Sequence, residues 1–445
     1  MKSLIIIFLL LSSILTRFSF QVNSMEKSPN GTMKLISLYY DSSQLTENIP
    51  ESRTSVSDDG RFVVFSADEP LDRGDYSYHM DIFLRDTQLN KTIRISNNDS
   101  GFAANGGSYH PQISRDGGYI TFFSHATDLV PNDVNGTTSD VFLYDAKNKT
   151  IEIVSKSSSG IQGDSTAYYP SISSNGRFII YYSWSSNLID NEIFSEPGMY
   201  VFDSQTKETK VIKNPTTNNL ISGSGARISD DGIIVAFNSE MSDLIPNDYN
   251  NLSDIFTYNF QTEEIQLVTK SYDEGLANGW SYSSIDLSSN GKFVVFCSPA
   301  SNLVENDINH VSDIFYADLS LGTIELVSIT YDGLPSNNDS APEVSISGDG
   351  RFVTFTSGAT DLVQNYNSGG VFIRDMSLEK TSLISLTPNN EIPNGYSNYS
   401  SISNNGKHIT FLSTASDLVV DDLNEKTDVF LFSSPYTINL PLITK

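Results

Sequence analysis

A four-residue word, Ser-x-Asp/Asn-Gly, recurs seven times along the chain: Ser57–Gly60, Ser114–Gly117, Ser173–Gly176, Ser229–Gly232, Ser288–Gly291, Ser347–Gly350 and Ser403–Gly406. Successive glycines are 57, 59, 56, 59, 59 and 56 residues apart. A fixed period of this size points to a propeller, a solenoid or an array, in which each repeat buries its apolar surface against its neighbours. The repeats occupy nearly all of the 445 residues and leave no room for a separate catalytic domain.

Each copy carries four short apolar runs. In the second copy these are His110–Ser114, Tyr119–Ser124, Asp140–Asp145 and Thr150–Ser155. The Asp-Gly or Asn-Gly step between the first two is a hairpin signal, since tight turns need positive φ. The second run is apolar almost throughout, as in Phe62-Val63-Val64-Phe65, which suits a strand covered on both faces. The fourth run alternates, with Ile93 and Ile95 set against Thr92 and Arg94, which suits a half-exposed outer strand. Helical spacing of apolar residues is absent. The expectation is an all-β fold, a seven-bladed β-propeller of four-stranded antiparallel blades.

The last copy supplies three clear strands. Its fourth is expected from Met33–Leu38 at the other end of the chain, which would clasp the ring and remove a free sheet edge. A rival, Thr437–Leu440, is cut short by Pro441. The expected layout is a secretory signal at 1–24, a short linker at 25–32, the propeller at 33–432 and a tail at 433–445. The signal rests on Lys2, the apolar stretch Leu4–Leu15 and small residues before a cut after Ser24. That stretch is too short to cross a bilayer, and no other segment is long enough. An exported, monomeric protein is the expectation.

The chain carries 54 Asp plus Glu against 27 Lys plus Arg, a net charge of −27. Such acidity disfavours nucleic acid as a partner. Cys297 is the single cysteine and falls in an apolar second run, where it reads as a core residue.

The pattern Ser-x-Asp/Asn-Gly-Arg/Lys-Phe-Val-x-Phe, seen at Ser57–Phe65 and Ser288–Phe296 and, with Thr in place of the second apolar residue, at Ser347–Phe355, resembles the WD-like repeat of TolB-type β-propellers. A longer pattern at Thr127–Phe142, Ser242–Phe256 and Ser301–Phe315 resembles exported bacterial relatives. The resemblance covers about residues 33–432 and implies a propeller that serves as a binding or interaction scaffold. TolB carries an additional domain and is described with six blades, so its role in the cell envelope is not transferred.

The loop after the second run carries a recurring acidic set: Asp133, Asn135 and Asp140; Asp248, Asn250 and Asp254; Asp307, Asn309 and Asp313; Asp422, Asn424 and Asp428. Oxygen ligands of this kind suit Ca²⁺. Asp and Asn also cap turns through their own backbone, and both readings stay open. The blade-to-blade loops are expected to emerge on the same face. They hold Tyr109, Tyr168, Tyr169, Trp280, Tyr282, Tyr396 and Tyr399, either a binding rim or inter-blade packing.

Positive evidence for catalysis is thin. The five histidines do not recur at one repeat position, and no Gly-x-Ser-x-Gly elbow occurs. Arg53, Arg115, Arg177 and Arg227 read as scattered around turns rather than as a carboxylate-binding cluster. The favoured expectation is a non-enzymatic scaffold binding a protein or glycan on an acidic, aromatic face, with Ca²⁺ ordering that face. The alternative is a glycosidase with paired carboxylates at the central channel.

Overall fold

The computed structural model describes residues 31–50, 53–68, 71 and 79–434. The expected signal, most of the linker and the rival strand at 437–440 lie outside the described residues.

The recurring word is a hydrogen-bonded turn. In the first copy Ser57 Oγ donates to Asp59 Oδ1 (2.7 Å), which also accepts the Arg61 N–H (2.9 Å). Ser57 Oγ in turn accepts the Phe62 N–H (3.0 Å). The same hydroxyl-to-Asp/Asn bond forms in the other six copies. All seven turn glycines have φ between 66° and 84°, a region closed to most side chains. A second constraint acts on the same residue. The space a Cβ would fill is taken by the first residue of the second strand in the preceding blade: Phe62 against Gly117, Phe293 against Gly350, and His408 against Gly60.

Each turn joins the first two strands of a four-stranded antiparallel sheet, and seven such sheets form among the described residues. Blade 2 runs Ser108–Ile113, Tyr119–Ser124, Asp140–Asp145 and Thr150–Ile153. The second and third strands are almost wholly buried and the fourth is half-exposed, as the apolar patterns predicted. Facing positions on these two strands carry stacked or tilted rings in every blade, from Phe65–Phe83 to Phe411–Phe430, with a Tyr181–Tyr200 pair in blade 3.

The ring closes through the N-terminal segment. Thr32–Leu35 pairs with Asp428–Ser433, outside His408–Ser413 and Ser397–Ile402. Seven apolar clusters fill the seven blade interfaces. The closing one packs Ile36, Val56, Val63 and Phe65 on Leu412, Val429 and Leu431. Cys297 is fully buried among such residues, and burial pushes its thiol well up, away from the reactive thiolate. No helix among the described residues is long and apolar enough to cross a membrane.

Candidate functional site

A ring brings the same inner-strand position of every blade to one axis, so side chains far apart in sequence line a common channel. The residue following each turn Ser closes one end. There the Asp58 N–H bonds the Arg115 carbonyl, and the Arg115 N–H bonds the Ser174 carbonyl (2.8 Å each). Ser174 Oγ donates to Asp230 (2.6 Å), while Ser289 Oγ bonds Ser174 Oγ (2.9 Å) and Asn404. Arg115 adds an ion pair to Asp230 at 3.6 Å.

Four residues before each turn Ser stand Arg53, His110, Tyr169, Gly225, Ser284, Glu343 and Tyr399, at the other end of the inner strand. Here the strands of blades 2, 3, 4 and 7 bulge, with two residues opposing one on the neighbouring strand. The bulge puts His110, Tyr169 and Tyr399 at φ of 53°, 52° and 53°. Bulky residues held in the left-handed region are strained, and such strain concentrates at functional sites. Blade 4 has Gly225 at this point, where a Cβ would collide with the Ser283 carbonyl.

The arginine expectation is overturned here. Arg53 and Arg227 come from blades 1 and 4 yet line the same chamber of about 260 Å³, together with His110 and Tyr169. Arg53, Arg227 and Arg115 all line the channel below. Only Arg177 of the four behaves as a turn-flanking residue, paired with Asp203 at 2.6 Å. Linear spacing concealed the cluster because closure of the ring creates it.

Burial, reinforced by the neighbouring Arg227 charge, pulls the Arg53 guanidinium down to about 10. Burial and then the charges of Arg53 and Arg227 pull His110 down to about 4, so the imidazole is neutral at physiological pH. Arg227 is matched by Asp286 at 3.3 Å. Arg53 donates to Ser284 Oγ at 2.8 Å and, among the described residues, meets no carboxylate within ion-pair distance.

The expected aromatic rim divides. Tyr169, Trp280 and Tyr396 are exposed, whereas Tyr109, Tyr168, Tyr282 and Tyr399 are half-buried. The largest aromatic group lies beside the arginine chamber on blades 2 and 3. Tyr109 stacks on Phe123 (5.3 Å), His110 meets Tyr169 edge-on (5.0 Å), and Tyr169 meets Tyr168 edge-on (4.9 Å). Trp184, half-exposed, donates from its indole N–H to Tyr168 (3.2 Å). Sequence reading missed Trp184, Phe123 and Tyr182; they end second strands, and only the bulged neighbours draw them into the group. Trp280 and Tyr282 form a separate pair on blade 5, and Tyr396 stands apart on blade 7.

The acidic loops emerge at this same end and brace the blade-to-blade loops. Gln162 bridges Asp133 (2.9 Å) and Asp140 (2.7 Å), and Asn135 donates to the Gly163 carbonyl (2.9 Å). Asn250 donates to Asp254 (2.9 Å), Asn309 to Asp313 (2.7 Å) and Asn424 to the Leu45 carbonyl (3.3 Å). Burial pushes Asp140 and Asp313 up to about 6 and raises Asp248, Asp254, Asp307 and Asp422. Among the described residues no three His, Cys, Asp or Glu side chains converge on one point.

The two channel carboxylates, Asp286 and Glu343, do not form a free catalytic pair. Asp286 accepts from Ser345 Oγ (2.9 Å) and the Ile346 N–H (3.0 Å) besides meeting Arg227.

No family profile and no curated protein matches this chain. Solved structures do. The β-propeller domain of the trilobed protease from Pyrococcus furiosus is 12% identical, with a TM-score of 0.52 over 88% of this chain and 98% of that one. Oligogalacturonate lyase from Vibrio parahaemolyticus is 11% identical, with a TM-score of 0.50 over 93% and 99%. TolB from Acinetobacter baumannii is 14% identical, with a TM-score of 0.41 over 73% of this chain and 63% of TolB. At these identities the likeness is one of fold, a β-propeller. The similar folds include enzymes and TolB alike, and none of the three is a glycosidase.

Proposed function

We propose that the protein is an exported, non-catalytic propeller that binds an acidic saccharide at the open end of its channel. In this reading sugar faces lie on Tyr168, Tyr169 and Trp184, and a carboxylate of the ligand meets Arg53 and Arg227. The observation that supports it most is Arg53, a desolvated guanidinium that donates to a hydroxyl and, among the described residues, meets no carboxylate within ion-pair distance, with Asp286 and Glu343 acting on it only from further off. Planar guanidinium groups favour two-point contacts with carboxylates. A net charge of −27 argues against long-range attraction of such a ligand, so recognition rests on this local pair.

The propeller-fold oligogalacturonate lyases suggest which ligand to try first. Calorimetric titration with a galacturonate oligosaccharide is expected to give binding that Arg53→Met and Arg227→Met each weaken at least about tenfold, the loss of a charge-assisted contact. A neutral oligosaccharide of equal length is expected to bind more weakly. Equal affinity for both, or none for either, overturns the reading and turns the search to a protein partner. Shortening of the oligosaccharide during titration would instead mark the chamber as catalytic.

A further inference from the structure

Most of the acidic-loop chemistry is explained by the fold. The aspartate opening the third strand accepts from a Ser or Thr on the outer strand: Ser155 to Asp140 (2.6 Å), Thr269 to Asp254 (2.6 Å), Ser328 to Asp313 (2.5 Å). Those hydroxyls also accept a third-strand N–H, as from Val141 (3.1 Å) and Ile314 (3.0 Å). The middle asparagine caps the backbone two residues on, as Asn309 does for Val311 (3.2 Å) and Asn424 for Lys426 (3.0 Å). Turn chemistry therefore accounts for the last two members of the sets in blades 4, 5 and 7, and for the last member in blade 2.

It accounts only in part for the first, whose charged form the N–H two residues on favours, from Asn309 at Asp307 and from Asn424 at Asp422. Asp422 is 5% exposed, and neither of its carboxylate oxygens closes a well-formed hydrogen bond. Asp307 is 7% exposed, and its Oδ1 has none. In blade 2 the buried Oδ2 of Asp133 and Oδ1 of Asn135 are both without partners. A carboxylate removed from water without a donor or a cation is costly, and here the cost recurs at one structural position in three blades. Blade 4 differs: Asp248 is half-exposed and leaves no buried orphan oxygen. In blades 3 and 6 the third strand opens on Gly198 and Gly370, and no such orphan arises.

We infer that the loops of blades 2, 5 and 7 each hold a hard divalent cation, Ca²⁺ fitting best, with Asp133, Asp307 and Asp422 as the anchoring ligands. Because few carboxylates converge at each point, amide oxygens, backbone carbonyls and water complete the shell. Ca²⁺ accepts such mixed, irregular oxygen sets, whereas Mg²⁺ demands a regular octahedron. Sites with so few charges belong with the weak extracellular class, with dissociation constants of about 10⁻⁴–10⁻³ M.

The test is thermal unfolding of the full chain in EGTA and then in millimolar Ca²⁺, with Mg²⁺ as control, alongside equilibrium dialysis with ⁴⁵Ca²⁺. Ligand binding to the native state raises Tm by mass action. The expected result is a rise of several degrees with Ca²⁺ and little with Mg²⁺, and uptake of more than one ion. In the triple variant Asp133→Asn, Asp307→Asn, Asp422→Asn, the Tm in EGTA is expected to equal or exceed that of the parent, because an uncompensated charge is gone, and the Ca²⁺ rise is expected to vanish. A parent that neither takes up Ca²⁺ nor shifts, or a triple variant that keeps the full shift, overturns the inference. Saccharide binding is a separate readout and stands or falls independently.

Discussion

The two ends of the ring are made by the same strands and follow different rules. At the turn end every blade writes the same word, closes the same hydrogen bonds and lodges its glycine against the blade before it. At the loop end seven blades place seven residues at one level, and Arg53, His110, Gly225 and Glu343 have nothing chemical in common. The turn end sets period and closure, so variation there is penalised alike in every blade. The loop end inherits its scaffold and is free to carry chemistry.

The largest expected effect comes from opening the ring. Deleting residues 25–40 removes Thr32–Leu35 from the edge of Asp428–Ser433 and Ile36 from the closing core. Calorimetry is expected to show a sharply lowered Tm and a broadened transition; an unchanged melt would mean that something else closes the ring. Next comes a paired test of the two ends with one kind of substitution. Gly350 and Gly160 have nearly equal φ, 84° and 87°, but Phe293 fills the Cβ space at Gly350 and nothing lies within 4 Å of Gly160. Gly160→Ala is expected to cost about 1 kcal/mol, the left-handed penalty alone. Gly350→Ala is expected to cost about 2–4 kcal/mol, because crowding adds to that penalty. Urea denaturation measures both, and equal costs would erase the distinction between the ends.

This contrast also explains what was legible in the sequence. Ser-x-Asp/Asn-Gly is a local motif whose bonds span at most five residues, so the turn and therefore the period are written contiguously. The apolar second strands and the N-terminal clasp follow from burial and edge pairing, which residue type reports. The arginine chamber is not local. Arg53 and Arg227 are separated by three blades, and only ring closure makes them neighbours. One signal was available: aligning the copies on their turn Ser puts Arg53, His110, Tyr169 and Tyr399 at one offset. The orphaned oxygens of Asp307 and Asp422 were beyond reach, because burial of an individual oxygen depends on packing that no motif encodes.

A smaller effect tests whether loop-end residues serve function at the expense of stability. Tyr169 sits at φ 52° with about half its surface exposed, 53%. Tyr169→Gly relieves strain of about 1 kcal/mol and loses edge contacts of similar size. Stability is therefore expected to stay within about 1 kcal/mol of the parent while saccharide binding weakens. A large loss of stability would return Tyr169 to a packing role and blur the two ends.

The smallest effects separate the ends by pH. At the turn end burial raises Asp203, but the Arg177 hydrogen bonds and the Gln205 and Thr206 N–H groups outweigh it and hold the carboxyl at about 2. A depressed carboxyl contributes stability that is present above the ordinary carboxylate value of about 4 and is lost as pH falls toward 2. At the loop end His110 is held near 4. The unfolded chain takes up its proton at about 6.5 and the native chain does not, so this contribution is lost earlier, as pH falls from about 6.5 to 4. Comparing each parent curve with its variant isolates one group. His110→Gln is expected to flatten the slope between pH 6.5 and 4, and Arg177→Met the slope between 4 and 2. The Arg177 side chain is partly exposed, so solvent screening keeps its share small. If both variants altered the same window, the two ends would be titrating as one unit, and the independence of scaffold and site would fail.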